Sequence, residues 1–158
     1  MSAPRIANLV NRELPREVEE ISHTTIGCAL AVHRELGPGL LESVYEDAMV
    51  YELSQAGLLI QRQVEIEVPY KTITLRGQRL DLVVGGVLIV ELKSISQVQE
   101  VHRAQLLSYL RAARLPLGLL INFNTTLLKA GLDRIFNERV LGHSLTPLSP
   151  SSPSRPSR

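Results

Sequence analysis

Apolar and small residues recur at Ile21, Thr25, Cys28, Ala29, Val32 and Leu36, the spacing of a helix with one buried face, and predict a helix over Glu17 to Leu36. Gly37-Pro38-Gly39 ends it. A second helix fits Leu40 to Ala56, with Leu41, Val44, Tyr45, Ala48, Met49 and Leu53 on one side and Gly57 at its C-terminal end. Together they form a bent pair. The period then changes to two: Val64, Ile66 and Val68 interleave with Glu65 and Glu67. Ile73 and Leu75, Leu80 to Val84 and Val87 to Leu92 follow, with turn signals at Pro69, Gly77 and Gly85-Gly86. This is a strand meander. Helical spacing returns over Gln99 to Arg114, Leu117 to Phe123 reads as a buried strand, and Leu127 to Val140 as a short closing amphipathic helix. The predicted order is helix, helix, three or four strands, helix, strand, helix, an α/β arrangement.

The pattern fits one domain: 158 residues, 44% hydrophobic and 21% charged, supply a core of ordinary size. The run from Leu115 to Ile121, broken by Pro116 and Gly118, is far too short to span a membrane, and Met1 to Val10 is too mixed for a signal peptide. A cytoplasmic protein with no membrane partner is expected. Cys28 is the only cysteine, which excludes an intramolecular disulfide and a thiolate metal cluster; its apolar setting reads as a small buried hydrophobe. Beyond Leu145, Pro147, Pro150, Pro153 and Pro156 stand among serines, too few apolar groups to offset ordering entropy. The chain therefore divides into a lead segment (1–16), a domain (17–143) and a disordered tail (144–158). Lysine and arginine number 17 against 16 acidic residues, or 15 against 16 without Arg155 and Arg158, so no basic footprint announces nucleic acid.

The candidate chemistry lies where the meander ends. Asp81 is followed ten positions later by Glu91-Leu92-Lys93, at the end of the apolar run Val87 to Val90. Hydrolysing a phosphodiester requires neutralising the phosphate, generating hydroxide and holding both in line, and carboxylate-bound magnesium can do all three. Magnesium prefers oxygen ligands and keeps several waters, so one or two carboxylates and a backbone carbonyl suffice. Asp81, Glu91 and the carbonyl of Leu92 are the candidates. Strand alternation puts Glu91 and Lys93 on one face and Leu92 on the other. For Asp81 to join them the hairpin must pair odd positions with odd, which requires an odd number of loop residues. A two-residue Gly85-Gly86 loop would pair Val84 with Val87 and separate the carboxylates. A three-residue loop is therefore predicted. Charged residues also mark strand ends where a sheet meets water. Here, however, Val87 to Val90 is apolar on both faces, and burial makes a carboxylate and a lysine costly unless they are paired or metal-bound. A Glu91–Lys93 ion pair is the structural alternative.

Further polar positions surround this core. Gln105 and Tyr109, four apart, share a helix face with His102 one turn earlier; the amide can donate to water or phosphate and the tyrosine can hold it, although such residues also line ordinary core boundaries. Glu42 opens the second helix, where the dipole alone favours a carboxylate; functionally it is a further metal ligand, direct or through water. His33 reads as a packing histidine, and with no second histidine or cysteine at metal spacing a zinc site is not expected.

These residues resemble the PD-(D/E)XK nuclease superfamily, and more closely the small bacterial and archaeal proteins named for a GxxExxY motif, which stands here as Gly39-Leu40-Leu41-Glu42-Ser43-Val44-Tyr45. The resemblance continues through Arg79 to Val84, Ile89 to Lys93, His102 to Leu110 and Gly118 to Asn124, and covers roughly Ile21 to Ile135. It implies a restriction-endonuclease-like αβββαβ core, a mixed sheet flanked by helices, with an extra N-terminal helix. It also implies that Asp81, Glu91 and Lys93 occupy the signature positions, that Glu42 is the helical acid, and that Gln105 with Tyr109 forms a QxxxY element. The activity implied is a magnesium- or manganese-dependent nuclease acting on DNA through a metal-activated water, with Lys93 orienting that water and Gln105 positioning substrate or Lys93. Tyr45, His102 and Tyr109 are supporting residues. Two rivals stand beside it. A catalytically silent nucleic-acid- or protein-binding accessory module would suit the near-neutral charge and the 4% aromatic content, which limits base stacking; a purely structural acidic sheet edge would bind no divalent ion. A homodimer would enlarge the substrate platform of so small a domain.

Overall fold

The computed structural model describes residues 13–141 and 147–149. Two helices, α1 (Arg16–Leu36) and α2 (Glu42–Gln55), precede strands β1 (Ile60–Tyr70), β2 (Ile73–Val84) and β3 (Leu88–Lys93). Helix α3 (Glu100–Ala113), β4 (Leu117–Asn122) and β5 (Leu132–Phe136) complete the chain order. The strands form one sheet in sequential order, antiparallel except for β3 and β4, which run parallel. That exception follows from α3, since a parallel neighbour requires a crossover and a helix of this length supplies it. The segment α2-β1-β2-β3-α3-β4 is the expected αβββαβ core, with α1 as the additional N-terminal helix.

The two faces of the sheet are covered by different helices. Leu82, Val84, Leu88, Val90, Leu92, Leu117, Leu119 and Ile121 pack with residues of α1 and α2, while Val83, Ile89 and Leu120 join Leu106, Tyr109 and Leu110 of α3. This explains why Val87 to Val90 shows no polar alternation: both faces of β3 are buried. Helix α3 crosses β4 closely at Gly118, where a Cβ would lie 2.9 Å from the Leu106 side chain.

Two expectations are corrected. Gly77 is not a turn; it lies inside β2 at φ +98° where the β1–β2 register shifts between Ile66 and Val68, so its freedom serves a bulge. The hairpin turns at Lys71 and Thr72 instead. The closing helix over Leu127 to Val140 is also absent. A single 3-10 turn (Leu128–Gly131) leads into β5, which pairs antiparallel with β4. Without β5 the buried strand β4 would expose its outer row of peptide groups, and satisfying that edge overrides a weak local helical pattern. Gly131 permits the turn, because a Cβ there would collide with the carbonyl oxygen of Asn122. The buried Asn137 then closes the sheet, its amide donating to the carbonyls of Leu110 and Leu115.

Among the described residues no helix is long and apolar enough to cross a membrane. The disorder expected over 144–158 falls outside the described residues except at 147–149, where the Leu148 N–H donates to the Gly86 carbonyl at 2.9 Å.

Candidate active site

The β2–β3 hairpin pairs Val84 with Leu88, Val83 with Ile89 and Leu82 with Val90, leaving Gly85-Gly86-Val87 as a three-residue loop. Both glycines adopt positive φ, at +62° and +70°. Asp81 consequently stands across from Glu91, as odd-with-odd pairing requires. At this point the regular ladder stops and the side chains take it over. The Asp81 N–H donates to Glu91 Oε1 at 3.2 Å, and the Leu92 N–H donates to Asp81 Oδ2 at 2.8 Å. Each carboxylate thus fixes the other strand's backbone, and Leu92 is tied to Asp81 through its N–H.

Burial of this pair has an electrostatic consequence. Glu91 is 6% exposed and its carboxyl is pushed up to about 8, first by loss of water and then by the neighbouring Asp81 charge. Asp81 is half-buried and is also raised, chiefly by desolvation, while its bond from Leu92 opposes the shift and the Glu46 charge adds to it. Lys93 lowers both carboxyls without bonding to either. Its side chain makes no hydrogen bond or ion pair with the described residues, so the Glu91–Lys93 ion pair offered as the structural alternative does not form. Lys93 is held through its backbone, paired with Asn122 in β4 and accepting the Phe123 N–H at 2.9 Å.

Helix α2 faces Asp81 across a cavity of about 180 Å³ lined by Glu42, Ser43, Glu46, Gln63, Asp81 and Leu92. Glu42 is the first residue of α2, and its Oε1 accepts the Ser94 N–H at 3.3 Å, while Ser94 Oγ donates to the Leu40 carbonyl at 2.5 Å. The segment leaving β3 is thereby tied to the start of α2. Tyr45 supports the same elbow from below: its hydroxyl donates to the Gly37 carbonyl at 2.5 Å and accepts the Leu40 N–H at 3.2 Å. Its ring is fully buried and stacks on Phe123, with centroids 4.4 Å apart and planes 6° from parallel.

On the α3 side the picture is mixed. Tyr109 has its phenol raised by burial and then by the charges of Glu91 and Asp81, with a hydrogen bond from Gln105 opposing, which puts Tyr109 within reach of the carboxylates' field and Gln105 beside it. The tyrosine hydroxyl donates to Gln78 Oε1 at 2.7 Å, a partner on β2 that the sequence did not single out. His102 is committed elsewhere: its Nδ1 accepts the Gln99 N–H at 2.9 Å in a capping box that starts α3. It supports the site only by fixing that helix. His33 bonds the Thr125 carbonyl at 2.7 Å, a packing role as expected.

Four lining or linking residues escaped sequence reasoning: Glu46, Gln63, Gln78 and Ser94. Glu46 had a legible signal, one helical turn after Glu42 on the same face. The others depend on contacts that no local spacing encodes.

A model of the PD-(D/E)XK nuclease superfamily matches residues 19–135, from the first turn of α1 into β5. The chain belongs to that superfamily. Searches of curated proteins and of solved structures return no match. As a PD-(D/E)XK protein it has the restriction-endonuclease-like architecture, here a mixed five-stranded sheet between helices. Members generally use a divalent cation and act on nucleic acid. Among the described residues no group of three His, Cys, Asp or Glu side chains gathers closely enough to hold an ion by itself. The donor set nevertheless suits magnesium or manganese, which need only one or two carboxylates and a carbonyl and complete their shell with water. Asp81, Glu91 and the Leu92 carbonyl are hard oxygen donors, and a cation would relieve the mutual repulsion that raises the two carboxyls.

Proposed function

We propose that this PD-(D/E)XK protein is a magnesium- or manganese-dependent nuclease that hydrolyses phosphodiester bonds of DNA, and that it belongs to the GxxExxY group. The observation that carries the reading is the reciprocal bonding of Asp81 and Glu91 with a half-buried Lys93 two residues on, its side chain unpaired among the described residues. In this reading Asp81, Glu91 and the Leu92 carbonyl hold the cation, and Glu42 supports it from α2. When bound, the cation neutralises phosphate charge and acidifies water. Lys93, whose side chain has no bonded partner among the described residues, orients the attacking water and stabilises negative charge growing on the phosphate. Gln105, exposed on α3, contacts substrate or steadies Lys93. The group assignment is supported by Gly39, at φ +99°, and by Tyr45, which anchors the elbow presenting Glu42.

The test is a time course with labelled single- and double-stranded DNA in magnesium, manganese or EDTA, beside Lys93→Ala and Asp81→Asn. Lys93→Ala removes a side chain with no bonded partner among the described residues, and the amide introduced by Asp81→Asn retains an oxygen for the Leu92 N–H, so both variants keep the fold. Cleavage is expected only with cation and to fall by on the order of 10²-fold or more in either variant. Undiminished cleavage in either refutes its role. A second reading, a silent accessory module, has one observation in its favour: main-chain N–H groups already occupy both carboxylates. It predicts cation or nucleic-acid binding without turnover.

A further inference from the structure

Three described residues other than glycine have positive φ: Gln63 at +47°, Lys71 at +51° and Arg114 at +56°. Lys71 sits in the β1–β2 turn and Arg114 ends α3, both usual places for this conformation. Gln63 lies inside β1, where nothing local requires it and where a side chain with a Cβ is disfavoured. The register pairs Arg62 with Leu82 and Val64 with Leu80, so Gln63 stands across from Asp81.

The kink has a visible product. Successive strand residues ordinarily point to opposite faces, yet Arg62 and Gln63 reach the same carboxylate on α2. Gln63 Nε2 donates to Glu46 Oε1 at 2.6 Å and Arg62 Nη2 to Glu46 Oε2 at 2.9 Å, with Asp47 as a second acceptor for Arg62. The Glu46 side chain is only 13% exposed, and it lines the cavity shared with Glu42, Asp81 and Leu92. A cation that keeps several waters needs acceptors for them. A carboxylate offers about four lone-pair sites, of which this clamp takes two.

We infer that Gln63 is a positioning residue for the cation site: its left-handed backbone turns the amide onto Glu46, and with Arg62 it fixes that carboxylate in the cavity wall beside Asp81 as an acceptor for the cation's water shell. The inference rests on the cation site proposed above. It accounts for a strained backbone at a position where a relaxed strand would lose the contact.

The experiment is calorimetric titration of the EDTA-stripped full chain with manganese chloride, together with thermal melts of the cation-free protein. The variants are Gln63→Gly, Gln63→Asn, Glu46→Gln and the double variant Q63G/E46Q. Glycine is at ease at this φ, and asparagine tolerates it but is one methylene too short for Glu46. Both are expected to weaken manganese affinity about 10-fold while the cation-free melting temperature stays within about 3 °C of wild type. The double variant should bind no more weakly than E46Q alone, since Gln63 acts through Glu46. Unchanged affinity in Q63G overturns the inference while leaving the site intact. So does additive loss in the double variant accompanied by a lowered melting temperature, the pattern of a merely structural residue. Wild-type protein that binds no manganese removes the cation site itself, and this role with it.

Discussion

At the residue scale the decisive feature is the pair Asp81 and Glu91, two acids that each replace a missing ladder partner for the other's strand. Holding both ionised without a cation is unfavourable, and Glu91 bears most of that cost because it is the more deeply buried. Its carboxyl lies at about 8 in the folded chain against an ordinary value of 4.5, so the folded state holds a proton that the unfolded state has released. By linkage the associated stability is complete below about 4.5 and is lost as pH rises through about 8. Denaturant melts in EDTA should therefore show wild-type stability declining from pH 5 to pH 8. Glu91→Gln cannot ionise and still accepts the Asp81 N–H, so its slope over this window should be clearly shallower. An identical slope would mean that Glu91 is ionised in the folded protein and that the repulsion is relieved in some other way.

At the element scale the site is an encounter between a hairpin and an elbow. The hairpin half was legible in the sequence, because side-chain alternation is a parity rule: once Asp81 and Glu91 were required on one face, a three-residue loop followed, and Gly85-Gly86-Val87 supplies it. The elbow half was only partly legible. Glu42 and Tyr45 stood out by spacing, but that the Tyr45 hydroxyl ties Gly37 to Leu40 depends on where Phe123 lets its ring stack. Tyr45→Phe keeps the stacking and removes both bonds. It should lower stability by about 1–3 kcal/mol, seen as a lower denaturation midpoint with an unchanged slope, and should slow cleavage by loosening Glu42. A midpoint equal to wild type would show that packing alone sets the elbow. The β5 strand and the kink at Gln63 were not legible at all. One answers an exposed sheet edge and the other a carboxylate on a different element, and both causes are remote in sequence.

For the whole molecule, several elements meet at one seam: β2 and β3 bring the carboxylates, α2 lines the cavity beside Asp81, α3 brings Tyr109 with Gln105 bonded to it, and β4 fixes Lys93. A cation seated there would cross-link strands β2 and β3 and, through Glu42, the α1–α2 pair, and it would bind the folded chain far better than the unfolded one. Mass action then makes cation affinity a stability: saturating to 100 times the dissociation constant adds about 2.7 kcal/mol, or about 5–10 °C in melting temperature for a domain of this size. Protons compete for the same oxygens, and Glu91 holds its proton up to about 8. Manganese should therefore raise the melting temperature more at pH 8 than at pH 6, reversing the cation-free decline with pH. A shift of equal size at both pH values would place the ion away from this pair, and no shift at either would leave the acids as a structural device for ending a sheet ladder.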